Sequence, residues 1–400
     1  LNNIESNNFA NALYGIQLRH ANYNFIKNNT FGLNAPKTII MPLQSCIVSD
    51  YGGSSSNIIE SNIFCGSADH AIKFTHQSEH DPISNQNVIK NNLFGTIGDD
   101  TDNKLMNVAA IQLSRTVTNT LIEGNTFGRN INGLSISGKG NKIFNNKFGT
   151  NEAGTKQLPS FTGIILAGQN NIISSNVFAN SLYGIIMALQ NKYYEDDECS
   201  NNQIVSNKFG TDINGINPLP MIAGISLCDN SRRNFIEDNI FGEISSCSIF
   251  LSSATCKENL VRFNYIGTNK DFTKSYSFRT GIVLNNSAKN NYVSYNTIGS
   301  SSNTNKSTAI KLDSLADKNY VRNNYIGTNK IGSTKIPNYV GIDIYSNYNS
   351  ITQNLVWYNY AGILEENCKN FINQNDIRYN THNTGIHLVN SRSEITGNTI

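Results

Sequence analysis

Several ordinary features are missing from this chain of 400 residues. No apolar run approaches the roughly 20 residues a helix needs to cross a bilayer, so no membrane insertion is expected. Neither sign of charge dominates. Lysine and arginine number 31 against 29 acidic residues, which leaves no electrostatic case for nucleic acid or an anionic lipid surface. The cysteines number seven, an odd count that does not read as a disulfide framework. Apolar residues also fail to recur at helical spacing. They come as short alternating pieces separated by Asn and Gly, which points to strands and turns.

What the chain has in their place is one motif, repeated. Asn141-Lys142-Ile143-Phe144-Asn145-Asn146-Lys147-Phe148-Gly149 reads as N-x-I-x-x-N-x-F-G. Its second Asn recurs at Asn7, Asn29, Asn62, Asn92, Asn125, Asn146, Asn176, Asn207, Asn239, Asn264, Asn296, Asn324, Asn354, Asn375 and Asn398. The residue three before it is always Ile or Val, and two after it stands Phe from Phe9 to Phe241, then Ile or Val. Spacings of 21 to 33 residues are those of a solenoid. Each copy predicts one coil of three short strands, stable only when stacked on its neighbours. An Asn at an inward turn can bond the same amide one coil on, about 4.8 Å away, so an unbroken Asn column predicts a buried ladder. Turn propensity alone explains richness in Asn but not a column without exception.

A second strand, usually Gly-Ile-x-Leu as in Gly163-Ile164-Ile165-Leu166, lies between successive motifs. Together the two patterns resemble the right-handed β-helix repeats of the pectin-lyase-like superfamily, over the whole chain. Phe148-Gly149-Thr150-Asn151-Glu152-Ala153-Gly154-Thr155 and Ile326-Gly327-Thr328-Asn329 resemble a subgroup found in secreted and surface proteins. The resemblance implies an all-β, single right-handed parallel β-helix of about 15 coils, continuous over residues 1–400, and an extracellular location. It implies no one activity, because that superfamily holds lyases, hydrolases, epimerases, phage tailspikes and structural shafts. Stacked at about 4.8 Å, such coils predict a rod of roughly 70 Å. Cys199 and Cys256 share a register two coils apart, about 9–10 Å, beyond disulfide reach. The cysteines are accordingly read as small buried hydrophobes.

The connection before the Gly-Ile-x-Leu strand alternates between short and long, which predicts a row of loops about 10 Å apart. Two insertions at the strand's other end carry the densest chemistry. His76, Glu79, His80 and Asp81, with His70 nearby, are candidates for an acid–base or metal site. His80-Asp81-Pro82 resembles the Asp-Pro-His-Glu signature of alginate epimerases in part, but in the wrong order. Glu195, Asp196, Asp197 and Glu198 supply oxygen ligands suited to calcium, although such acid runs are more often solvated loops. Gly98-Asp99-Asp100-Thr101-Asp102 offers paired carboxylates, but the companion motifs of inverting pectin hydrolases are absent.

The x position of Gly-Ile-x-Leu points outward. Its column reads Gln17, Val48, Lys73, Gln112, Ser135, Ile165, Ile186, Ser226, Phe250, Val283, Lys311, Asp343, Leu364 and His387. No compact set of carboxylates with a base stands at its middle. Lys311 and Asp343 are expected to form a cross-coil ion pair. Asp343, Glu365, Glu366 and His387 gather late in the chain as a further acid–base candidate. Ile165, Ile186, Phe250 and Val283 form an outward apolar stripe, which predicts cover by the chain's own loops or by another chain. The chain opens and stops in repeat register, which leads us to expect part of a longer shaft or a self-associating subunit. The leading expectation is therefore a structural or adhesive shaft, with polysaccharide as a candidate ligand. The alternative is a polysaccharide lyase, epimerase or hydrolase.

Overall fold

The computed structural model describes residues 1–50, 53–75, 83–98, 106–188, 198–301, 306–382 and 384–400. Among these residues no helix occurs, and every strand–strand ladder is parallel. Two compact units divide the chain, Leu1–Ile185 and Ile186–Ile400.

Within each unit a coil contributes one strand to each of three sheets. In the first unit Lys142–Phe144 belongs to the first sheet, Lys147–Phe148 to the second and Ser160–Leu166 to the third. Register follows the sequence columns. Ile122, Ile143 and Ile173 lie side by side, as do Phe127, Phe148 and Phe178. In the second unit Ile236, Val261, Val293, Val321, Ile351, Ile372 and Ile395 form the matching row.

The corner between the first two sheets explains the invariant Asn. The residue just before each ladder Asn adopts a positive φ, from 54° at Asn91 to 66° at Gly124, which turns the backbone sharply and leaves the next side chain inside. The Asn then completes the corner. Oδ1 of Asn146 accepts both the backbone N–H of Asn125 at 2.9 Å and its Nδ2 at 3.0 Å. Nδ2 of Asn125 also donates to the carbonyls of Ile89 (2.9 Å) and Glu123 (3.0 Å). One amide thus ties three consecutive coils and leaves none of its polar atoms idle. The same pattern runs from Asn7 through Asn29, Asn62, Asn92, Asn125 and Asn146 to Asn176 in the first unit. In the second it runs from Asn207 through Asn239, Asn264, Asn296, Asn324, Asn354 and Asn375 to Asn398.

The first Asn of the motif forms a second ladder, for example Asn202, Asn234, Asn259, Asn291, Asn319, Asn349 and Asn370. Shorter runs appear at a third corner, Asn107 on Asn130 and Asn338 on Asn359 on Asn380.

Beside the ladder in the first unit the phenylalanines stack from Phe9 to Phe178, with ring centroids 4.6 to 4.9 Å apart. That stack sets the glycine of the facing strand. A Cβ on Gly163 would sit 2.7 Å from the Phe178 ring and 2.5 Å from the Gly184 carbonyl, so no larger residue fits. In the second unit the column passes from Phe209 and Phe241 to Ile266, Ile298, Ile326 and Val356.

The long loops are ordered from within. Oδ1 of Asn151 accepts the amides of Thr155 (2.9 Å) and Lys156 (3.1 Å), and Thr150 bridges Gln157. Asn34, Asp212, Asn269 and Asn329 repeat the arrangement. All seven cysteines are free thiols, and five are buried.

Replacing Asn146 by Leu strands the amides of Asn125, so the variant should lose about 1–3 kcal/mol by denaturant unfolding. A variant as stable as the parent would mean that the ladder is not what holds the corner.

Candidate functional site

The outward column of the third sheet is continuous in register within each unit. Ser226, Phe250, Val283, Lys311, Asp343, Leu364 and His387 follow one another on adjacent strands of the second unit. Among the described residues, two of the depressions open along it. The larger, about 690 Å³, is lined among others by Glu243, Ser277, Arg279, Lys306, Lys311 and Asp343. The smaller, about 120 Å³, is lined by Asp343, Tyr345, Leu364, Glu365, Glu366, His387 and Val389. Asp343 is common to both.

Burial pushes the Asp343 carboxyl above the ordinary aspartate range. Nearby Lys311 and a hydrogen bond from Tyr345 oppose that shift, while the charges of Asp313 and Glu366 add to it. The cross-coil ion pair expected between Lys311 and Asp343 does not form. Lys311 Nζ pairs instead with Asp313, at 3.0 Å and two residues along, and lies 5.3 Å from the centre of the Tyr345 ring. The strand neighbours are adjacent as expected, but the nearer carboxylate takes the ammonium. His387 stands two rungs from Asp343 with Leu364 between them, about 9–10 Å by coil spacing, so the two share a surface but no hydrogen bond.

Glu365 occupies the inward register of Ile344 and is 2% exposed. Its Oε1 accepts from Asn370 Nδ2 (2.7 Å) and from the Ser393 hydroxyl. It terminates the second Asn ladder and belongs to the interior, unlike its neighbour Glu366. Glu243, at the other end of the larger groove, is held by the amide and hydroxyl of Ser277. Sequence reasoning missed Glu243, Arg279 and Lys306. They precede the Gly-Ile-x-Leu core of their strands, so the x column does not sample them. The detectable signal was the extra length of strands such as Phe278–Asn285.

His76, Glu79, His80, Asp81, Glu195, Asp196 and Asp197 lie outside the described residues, as does the Asp99–Asp102 stretch. Glu198 is described. Its two oxygens are engaged by Arg232 and Arg233, each at 2.9 Å, so a cation there would have to displace two guanidiniums. Among the described residues no group of three His, Cys, Asp or Glu side chains is set to hold a metal ion. His70 lies 2.7 Å from Asp69, which also pairs with Lys73 at 2.8 Å. Of the apolar stripe, Val283 is buried, and Ile165, Ile186 and Phe250 are half-buried.

Asp343→Asn gives a pH test. A carboxyl whose folded pKa is raised contributes stability that is complete below its unfolded pKa and is lost as pH rises through the folded value. The variant should therefore lose less stability than the parent as pH rises from about 4, as followed by urea unfolding. Parallel pH curves would exclude Asp343 as the titrating group.

No family model and no curated protein sequence matches the chain. Solved structures do. An alginate lyase from Paenibacillus sp. str. FPU-7 aligns at 10% identity and TM-score 0.34, covering 85% of this chain and 94% of that one. PfbA, a surface adhesin of Streptococcus pneumoniae, aligns at 14% and 0.39, covering 94% and 83%. A tailspike protein of E. coli bacteriophage HK620 in complex with pentasaccharide aligns at 11% and 0.45, covering 94% and 72%. These are likenesses of architecture. The three parallel sheets and the Asn ladders of the chain itself make it a parallel β-helix protein.

Proposed function

We propose that the chain is a β-helical shaft of an extracellular or surface assembly and binds a glycan in the larger groove of its second unit. One observation carries this reading: the groove's carboxylates and Lys311 are already held by neighbours in the same fold, while Arg279 and Lys306 face the trough. Glu243 is held by Ser277, Lys311 by Asp313, and Asp343 accepts from Tyr345. Hydrolysis needs two carboxyl groups about 5–9.5 Å apart across one reacting bond, and the two that line this groove among the described residues, Glu243 and Asp343, stand three rungs apart, about 14 Å by coil spacing. Ser245, Thr280, Thr308, Arg279 and Lys306 instead line a rigid, open trough with hydrogen-bonding groups. That composition suits an extended ligand rich in hydroxyls and bearing acidic groups. Further subunits of the assembly would meet the half-buried Ile186 and Phe250 on the outward column of the second unit.

One observation favours the enzymatic alternative. Asp343 sits on the groove wall with its carboxyl pushed by burial above the ordinary aspartate range, the direction that suits a proton donor to a leaving oxygen. Titration calorimetry with neutral and acidic oligosaccharides, with and without calcium, separates the readings. Binding of an acidic oligosaccharide that falls about tenfold or more in Arg279→Ala/Lys306→Ala, without cleavage, is the expected result. Chain shortening that disappears in Asp343→Asn would instead identify a polysaccharide-active enzyme. No binding to any member of the panel would refute the glycan reading.

A further inference from the structure

The outward face of the first sheet carries a second anomaly, independent of the groove. At the ladder corner the residue in the left-handed backbone conformation is Asn, Ser, Asp, Gln or Gly on nearly every coil, as the steric cost of a large side chain there requires. On two adjacent coils it is Phe263 (φ 58°) and Tyr295 (φ 56°). Both are exposed, at 47% and 40%. Two bulky residues therefore stand in a conformation they disfavour while nearly half of each side chain remains open to solvent. Tyr23, Tyr348, Tyr358 and Tyr379 take the same conformation at the other Asn corners, but in this column only Phe263 and Tyr295 are aromatic, which singles them out for a role outside the fold.

Its surroundings extend the patch. Phe235, Leu260, Tyr292, Tyr320, Ser350 and Phe371 form one outward column on consecutive strands, and Phe235, Tyr320 and Phe371 are exposed. Ring faces are already used here. Tyr292 stacks on Tyr320 at 4.7 Å, Phe263 on Tyr295 at 5.2 Å, Arg262 covers Phe263 at 5.5 Å and Arg322 covers Tyr292 at 5.8 Å. A sugar ring needs a free aromatic face, so this strip suits a protein surface. Arg262 is neutralised by Glu237 at 2.6 Å, but Arg322 has no carboxylate partner among the described residues.

The matching face of the first unit is its complement. The corresponding column there is Phe25, Ile58, Val88 and Leu121. The charge column beside it contains two internal pairs, Lys27–Glu5 at 3.4 Å and Lys90–Glu60 at 3.2 Å, and then Glu123 with no cationic partner among the described residues. Both faces repeat at the same coil spacing, about 4.8 Å, so columns of one can stay in step with columns of the other.

We propose that the aromatic strip of the second unit docks on the first-sheet face of the first unit in a second copy of this chain, with Arg322 against Glu123. The interface is apolar at its centre and fixed in register by that charge pair.

Sedimentation velocity from dilute to concentrated solution tests it with four proteins. The parent chain should self-associate. Arg322→Glu and Glu123→Arg should each weaken association about tenfold or more, and an equimolar mixture of the two variants should restore it. A parent that stays monomeric, single variants that associate like the parent, or a mixture no better than its components would each overturn the contact. The fourth protein, Tyr295→Asn, keeps the test independent of misfolding. It should melt at a higher temperature than the parent, because the strained residue is relieved, while associating less. If it melts lower, the tyrosine serves its own fold and the proposal fails.

Discussion

Everything in this chain hangs on a two-residue corner: a residue in the left-handed conformation followed by an asparagine whose amide faces inward. Solenoid corners otherwise bury backbone N–H and C=O groups where no water reaches them, and each unsatisfied group would cost about 1–3 kcal/mol. Asparagine suits the task because one side chain offers two donors and an acceptor in a plane that repeats at the strand spacing. Glutamine would overreach by a methylene, and aspartate would put a charge on every coil. The fifteen motif corners use the same geometry, and the second ladder applies it again at the other end of the first-sheet strand.

The apolar interior is built to the same rhythm. Phenylalanine rings at 4.6 to 4.9 Å in the first unit leave room for a backbone with no Cβ opposite, which is why glycine precedes the inward Ile. Where the column changes to Ile or Val in the second unit, the ladder continues unaltered. Side-chain volume can therefore vary along the core, whereas the polar corner cannot. This difference in tolerance separates the two columns physically, although both look equally regular in the sequence.

Legibility in the sequence tracked that distinction. The Asn and Ile columns, the Phe stack and the membership of the outward x column could be read because a period-2 strand and a fixed turn leave one answer. The second ladder was present in the same motif but was obscured where Thr120 replaces Asn. Charge partners were harder. Lys311 had two carboxylates within reach, and only side-chain conformation decided for Asp313 over Asp343. Glu365 takes the inward Leu position of Gly362-Ile363-Leu364-Glu365, so the period-2 pattern places it inside, but a carboxylate at an apolar position invites grouping with the outward acids instead. The groove was least legible. Glu243, Arg279 and Lys306 come from strand beginnings of different coils, and only folding brings them to one trough.

The ladders also have a direction. In every run the coil earlier in sequence donates its backbone and side-chain N–H groups to the Oδ1 of the coil that follows. All the amides of a column are consequently aligned, and aligned hydrogen bonds polarise one another. At its ladder corners a folded coil thus presents N–H donors to the coil that follows, and to the coil before it an Oδ1 beside an Nδ2 that bonds a carbonyl. The two faces of a growing stack are chemically different templates. Within a unit, structure should spread with a preferred polarity rather than equally both ways, much as a zipper closes only along its teeth.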